Sequence, residues 1–171
     1  MNAHLDSRVR PAGLDAARRP HLFGVVHLAP LPGSPAARGG GDMAAVLDTA
    51  ERDARALVEG GVDGLVVENF GDAPFFAEVV PPETAAAMGV AVARVRACLP
   101  ATVPVGVNVL RNDGLSALAV AVASGASFLR VNVLAGAAVT DQGLIQASTL
   151  TRCCDAARPS GSTSRSWPTS T

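Results

Sequence analysis

Short apolar runs alternate along the chain with segments of helical periodicity. The runs lack the alternation of apolar and polar residues that a half-exposed strand shows, so they suit strands buried on both faces of a parallel sheet. We predict four such strands, at residues 22–28, 64–69, 104–110 and 128–134.

Between these runs, apolar residues recur at i, i+3 and i+4 spacing, and capping residues mark the helix ends. The first predicted helix follows Asp42 and ends at Gly60–Gly61, and the second begins at Pro82. The third covers residues 115–124 and stops at Gly125. Strands that alternate with helices in this way predict βαβ units.

An internal repeat indicates that these units are equivalent. Residues 61–68 align with residues 125–132, and each segment has a helix-ending glycine, a short turn and a strand. Four strands in the body of the chain give about 31 residues per unit, near the value for a (β/α)8 barrel of about 250 residues. The expected fold is therefore α/β and of the TIM-barrel type, with only about the first four βα units present.

Composition divides the chain into three parts. Residues 1–20 are polar and rich in Arg, Pro and Ala, so we expect a flexible arm, and residues 21–146 form the predicted partial barrel. Residues 147–171 hold 11 Ser or Thr among 25 residues and no periodic apolar face. Such a segment cannot bury enough apolar surface to offset its chain entropy, so we expect a disordered tail.

Charge and composition exclude several classes of function. The net charge is −1, which gives no reason to expect a nucleic acid or an anionic membrane surface as partner. All 14 basic residues are Arg, so Schiff-base chemistry on a lysine is excluded. Three cysteines with an adjacent pair indicate reduced thiols, and no secretory signal or transmembrane segment is recognisable. We expect a cytoplasmic protein.

One polar residue follows the last valine of each predicted strand. These residues, His27, Glu68, Asn108 and Asn132, fall in register when the strands are aligned by that valine. The carboxyl ends of strands are where βα proteins build their sites, so the pattern predicts a polar pocket. Simpler roles stay open: His27 as a packed histidine, Glu68 in an ion pair with Arg130, and either asparagine tying down a loop.

Further candidates lie beside and beyond these strand ends. Arg130 shares a strand face with Asn132 and could bind a carboxylate or phosphate, while Asn69 and Arg111 begin the following loops. Asp141 could be a site acid or a helix N-cap. Glu68 or Asp141 could serve as a general base, and as hard oxygen ligands the two could hold Mg²⁺, although the pattern itself predicts no metal or other cofactor.

Five segments in order closely resemble the BtpA/SgcQ family: residues 26–35, 60–72, 106–113, 128–134 and 139–143. The resemblance implies a (β/α)8 barrel related to ribulose-phosphate-binding barrels. Cyanobacterial members are associated with photosystem I biogenesis at the thylakoid membrane, and other members look like metabolic enzymes. Carried over onto this chain, the matched pocket residues are His27, Glu68, Asn69, Asn108, Arg111, Arg130, Asn132 and Asp141.

The resemblance fades after about Gln146, where family members continue through further βα units. We expect a truncated or frameshifted member that retains about half a barrel and has no useful catalytic activity of its own. Its open strand edges could drive self-association. Three possibilities remain: a photosystem I biogenesis factor, with peripheral thylakoid association only in a photosynthetic organism; a barrel enzyme for a small phosphorylated or sugar-like substrate; or a fragment with no function of its own.

Overall fold

The computed structural model describes residues 21–37 and 41–146, and the predicted arm and tail lie outside these ranges. Within them, four parallel strands pair in the order β1-β2-β3-β4, with three helices between them, and an antiparallel hairpin β5-β6 follows. The strands are β1 (Phe23–His27), β2 (Gly64–Glu68), β3 (Val105–Asn108), β4 (Phe128–Leu129), β5 (Ala137–Thr140) and β6 (Gly143–Gln146). The helices are α1 (Met43–Glu59), α2 (Pro82–Ala97) and α3 (Gly114–Ser124).

The helix boundaries follow the capping residues in the sequence. The Asp42 side chain accepts hydrogen bonds from the first-turn amides of α1, which ends at Gly60, and Pro82 begins α2. Asp113 caps α3, and Gly125 ends it in the left-handed conformation that glycine adopts without steric cost. Among the described residues, no helix has both the length and the apolar character to cross a membrane.

All three helices lie on one face of the sheet and build the core there. The strand side chains on this outer face are fully buried against helix residues such as Ala54, Met88 and Ala117. They are Val26, Leu65, Val67, Val105 and Val107.

The opposite, inner face is only partly filled. Phe23 of β1 and Phe128 of β4 meet edge to face above it, with ring centroids 5.4 Å apart. The space for this contact comes from Gly64 and Gly106 on the strands between, where a Cβ atom would collide with the two rings. First and fourth strands of a flat sheet would lie about 14 Å apart, so the contact indicates that the sheet curls towards this face.

The fourth predicted strand is the largest departure from the sequence pattern. Residues 128–134 were expected to pair throughout, but pairing ends after Leu129, and a hairpin rather than a helix follows within the described residues. The predicted register was also wrong by two residues, because Val107 pairs with Leu129 and not with Val131. Arg130 therefore lies level with Asn108, while Asn132 lies beyond the end of the sheet.

Candidate functional site

Four polar side chains form a layer at the carboxyl ends of the parallel strands. His27 pairs in register with Glu68, and Glu68 with Asn108, as the sequence predicted. Arg130 continues the same row on the fourth strand, with its amide bonded to the carbonyl of Val107. Since residues in one row of a sheet point to the same face, all four side chains point to the inner face, above the Phe23–Phe128 pair.

Glu68 is the centre of this layer. Its side chain is 5% exposed, and its Oε1 accepts hydrogen bonds from Asn108 Nδ2, at 2.9 Å, and from the guanidinium of Arg130. The ion pair with Arg130, offered by the sequence as the simpler role, is therefore present. Burial of a carboxylate is costly without such partners, so Arg130 and Asn108 are what allow Glu68 to be buried.

His27 lies on the other side of Glu68 and is open to solvent. Its Nε2 is 3.7 Å from Glu68 Oε2, and its ring stacks on Phe70 at a centroid distance of 4.3 Å. Half of the His27 side chain is exposed, which contradicts the alternative of a packed core histidine. The imidazole is thus held between a carboxylate and an aromatic ring with solvent access.

Asn108 carries an unsatisfied acceptor. The residue is fully buried, and its Nδ2 donates to Glu68 and to Asn132 Oδ1, the latter at 3.3 Å. Its Oδ1 has no hydrogen-bond partner. Exchanging the two ends of the amide would place an oxygen against two other oxygens, so the orientation is determined by its neighbours. Buried polar atoms are nearly always paired, so this oxygen lacks a donor that the described residues do not supply.

Asn69 occupies a different position from that expected of a ligand-binding residue. It is 1% exposed, its Oδ1 accepts from the Leu110 amide at 2.7 Å, and its Nδ2 donates to Asp72 at 3.1 Å. Asp72 in turn accepts from the Leu31 amide at 2.8 Å. Together the two side chains join the loops that follow β1, β2 and β3.

Asn112 joins the loop that follows β3 to the segment that follows β4. Its Oδ1 accepts from the amides of Asn132 and Val133, at 2.9 and 3.0 Å, and its Nδ2 donates to the Val133 carbonyl. A longer fourth strand would have turned the Asn132 amide towards β3, as the Arg130 amide is. Neither Asp72 nor Asn112 is among the site residues predicted from the sequence, although both lie inside the family-like segments.

Arg111 and Asp141 form a second cluster at the hairpin. Arg111 donates to Asp141 Oδ1 at 2.7 Å and to Gln142 Oε1 at 2.8 Å, and its guanidinium lies over the Phe75 ring. Asp141 lies in the turn between β5 and β6, so the alternative role of a helix N-cap is wrong. Desolvation raises the pKa of Asp141, but hydrogen bonds from Gln142 and from the residue's own backbone, together with the positive charge of Arg111, outweigh it and hold the pKa below its ordinary value.

The predicted site residues therefore fall into three groups. His27, Glu68, Asn108, Arg130 and Asn132 come together at the strand ends; below we call these five residues the strand-end cluster. Arg111 and Asp141 bind each other at the hairpin, and Asn69 is buried between the loops. Among residues 21–37 and 41–146 there is no group of three or more His, Cys, Asp or Glu that could hold a metal ion.

Comparison with known proteins identifies close relatives. A model described as "BtpA family" matches residues 18–154. The "Photosystem I biogenesis protein BtpA" of the cyanobacterium Synechocystis is 55% identical over 125 residues, which is 73% of this chain and 42% of that protein. An uncharacterized protein of Pyrococcus furiosus is 50% identical over 133 residues, covering 78% of this chain and 48% of its own.

Relatives extend to animals. A mitochondrial protein of Caenorhabditis elegans, also uncharacterized, is 32% identical over 141 residues, covering 81% of this chain and 50% of its own length. The chain thus spans about half the length of the curated relatives it matches. No solved structure matches significantly.

Proposed function

The chain belongs to the BtpA family, and we propose that its strand-end cluster binds a small phosphorylated or sugar-like molecule at the mouth of a TIM-type barrel. The observations that carry the proposal are the unpaired Oδ1 of Asn108 and the half-exposed side chain of Arg130, two residues that share the Glu68 carboxylate. The Asn108 oxygen can accept a hydrogen bond from a donor such as a hydroxyl group, and the Arg130 guanidinium can bind an anion.

The open side of the cluster fits such a ligand. Arg130 uses only Nη1 on Glu68 among the described contacts, so its other donors are available to a phosphate or carboxylate. Asn132 uses its Oδ1 on Asn108, and its side-chain amide can donate to the same anion. The ligand would therefore carry a negative group with a hydroxyl nearby.

Relatives in archaea and in a nematode favour this proposal over one limited to photosynthesis. Proteins 50% and 32% identical to this chain occur in organisms that have no photosystem I. A ligand site shared across the family would be useful in all of them. If the family catalyses a reaction, His27 with Glu68 is the pair suited to proton transfer, since imidazole is the side chain most often used for it.

A binding experiment tests the proposal. Titration of the protein with ribose 5-phosphate, with ribose and inorganic phosphate as partial ligands, should show that the phosphosugar binds best. Replacing Arg130 by Met should weaken phosphosugar binding at least 10-fold, because a charge-assisted hydrogen bond contributes roughly 1.5–3 kcal/mol. The matched control is Arg52→Met on the exposed side of α1, which should leave binding unchanged. No binding by the unmodified protein, or equal loss in the control, would refute the proposal.

Catalysis requires more of the barrel than ligand binding does. Sites in such barrels use loops from most of the strands, and the described residues contain the loops of only four. We therefore expect the chain to bind without useful catalysis, and measurable turnover by the purified 171-residue chain would contradict this.

The second candidate is a role in photosystem I biogenesis, favoured by the 55% identity to the cyanobacterial protein of that name. A chimera tests it directly. The matching 125 residues of the Synechocystis protein would be replaced by those of this chain, and photosystem I content measured in cells that carry only the chimera. Normal content would support the role, and content as low as in cells without the protein would contradict it.

A further inference from the structure

An aromatic ring lies against the strand-end cluster. Phe70, in the loop that follows β2, stacks on the His27 imidazole at a centroid distance of 4.3 Å, with the two ring planes 18° apart. About half of Phe70 is exposed, although one face of its ring is covered by the imidazole. Phe70 therefore presents a planar apolar surface beside a group of polar side chains.

The aromatic surface continues from Phe70 towards the hairpin. The Phe75 ring lies 6.1 Å from the Phe70 ring, and the Arg111 guanidinium lies 4.9 Å from the centre of the Phe75 ring. Arg111 is held in turn by Asp141. The two phenylalanine rings thus connect the strand-end cluster to the second polar cluster, and Phe70 is the ring that contacts the strand-end cluster.

Close packing of the loop fixes the position of Phe70. The Gly71 amide donates to the Leu28 carbonyl at 3.0 Å, and a Cβ atom at Gly71 would come within 2.6–2.7 Å of the backbone of residues 28–30. Because only glycine permits this approach, the loop after β2 lies directly against the chain that follows β1, with the Phe70 ring on His27. The loop follows a strand that is paired on both sides, so its position does not depend on either edge of the sheet.

The stacked rings lie close to the proposed anion-binding group. Glu68 Oε1 accepts a hydrogen bond from the Arg130 guanidinium, and Glu68 Oε2 lies 3.7 Å from His27 Nε2. The guanidinium and the Phe70–His27 stack are therefore separated by a single carboxylate. One small molecule can place an anion on Arg130 and a flat ring against Phe70 if a unit of a few atoms, such as a sugar, joins the two groups.

We propose that the ligand of the strand-end cluster carries a planar heterocyclic ring that packs against the exposed part of Phe70, so that it has the chemistry of a nucleoside monophosphate. The inference rests on the function proposed above, which assigns an anion to Arg130 and a hydroxyl group to Asn108. Aromatic side chains stack on any nucleobase, because every base has a π-face. Phe70 thus contributes affinity for the ring, while the polar side chains bind the phosphorylated sugar.

AMP and ribose 5-phosphate test the proposal, because both contain a phosphorylated ribose and only AMP carries a base. In calorimetric titrations of the 171-residue chain, AMP should bind at least about 5-fold more tightly, as stacking on one aromatic side chain provides. Phe70→Leu removes the aromatic face and should abolish this preference, whereas Phe70→Tyr should retain it. The matched control is Phe76→Leu, which should keep the preference because Phe76 is 44% exposed in the same loop but lies outside the stack.

A second measurement uses the unmodified protein and covers the case in which Phe70→Leu fails to fold. In NMR spectra of the AMP complex, the adenine protons should show nuclear Overhauser effects to the Phe70 ring and none to the Phe76 ring. Contacts to Phe76 in place of Phe70 would overturn the proposal, as would an unchanged preference in folded Phe70→Leu or a lost preference in Phe76→Leu.

The two ligands also separate this proposal from the one on which it rests. If ribose 5-phosphate binds and AMP binds no more tightly, the stacking role of Phe70 is wrong and the phosphosugar site stands. If neither ligand binds, both proposals are wrong.

Discussion

Replacement of Asn69 by Ala separates a ligand-binding role from a structural one. The sequence assigns this residue to a substrate pocket, but the structure buries it and engages both ends of its amide within the protein. We expect Asn69→Ala to lower the free energy of unfolding by about 3 kcal/mol. Ligand affinity of the folded fraction should change little.

The magnitude follows from the two hydrogen bonds. Loss of Asn69 Oδ1 leaves the Leu110 amide without its acceptor in a residue that is 4% exposed, which costs roughly 1–3 kcal/mol. Loss of Nδ2 removes one donor from the buried carboxylate of Asp72, which keeps the Leu31 amide, and a hydrogen bond to a charged group contributes roughly 1.5–3 kcal/mol. Relaxation of the surrounding loops and entry of water reduce both costs, so the expected loss of unfolding free energy lies near the lower end of the summed range.

The assay is urea unfolding at fixed temperature. The dependence of the unfolding free energy on urea concentration should be the same in the variant and the unmodified protein, so that their stabilities can be compared. The control is Asn132→Ala, because that side chain is exposed and makes one 3.3 Å bond to Asn108. Asn132→Ala should cost less than about 1 kcal/mol and should weaken binding of the phosphosugar. If Asn69→Ala keeps full stability and loses binding instead, the structural interpretation fails and the sequence-based assignment is correct.

Two further predictions concern the inner face and the hairpin. Gly106→Ala should destabilise the protein by roughly 1–3 kcal/mol, because the added Cβ would lie 2.6 Å from Cδ2 of Phe128 and closer to two other ring atoms. Gly89→Ala, in open space within α2, should instead stabilise by roughly 0.5–1 kcal/mol, and equal effects in urea unfolding would contradict the packing described. The bond of Asp141 to Arg111 should persist above pH 3.8 and be lost as the pH falls through the lowered pKa; a carboxyl titration by NMR with a midpoint at or above 3.8 would disprove it.

The local structure and the polar layer can be read from the amino-acid sequence alone. Helix ends followed from Asp42, Pro82 and Gly125, because a cap or a left-handed turn depends on residues within one turn. The row from His27 to Asn108 followed from equivalent strands, since parallel strands of one sheet end at the same edge. The family resemblance was also readable from the sequence, and the comparisons confirm it.

The roles of the buried side-chain amides depend on contacts between segments that are distant in sequence. Asn69 bonds a backbone amide 41 residues away, and Asn112 bonds one 21 residues away, so no local pattern distinguishes them from asparagines that face a ligand. Long-range hydrogen bonds of the same kind lie just beyond the end of the fourth strand. Its apolar residues resemble those of the other strands, but the Asn112 side chain accepts hydrogen bonds from the amides of Asn132 and Val133. In the observed register, Arg130 is the residue level with Asn108. A polar side chain of the preceding loop thus satisfies the backbone donors just beyond the end of β4, where the sheet offers them no partner.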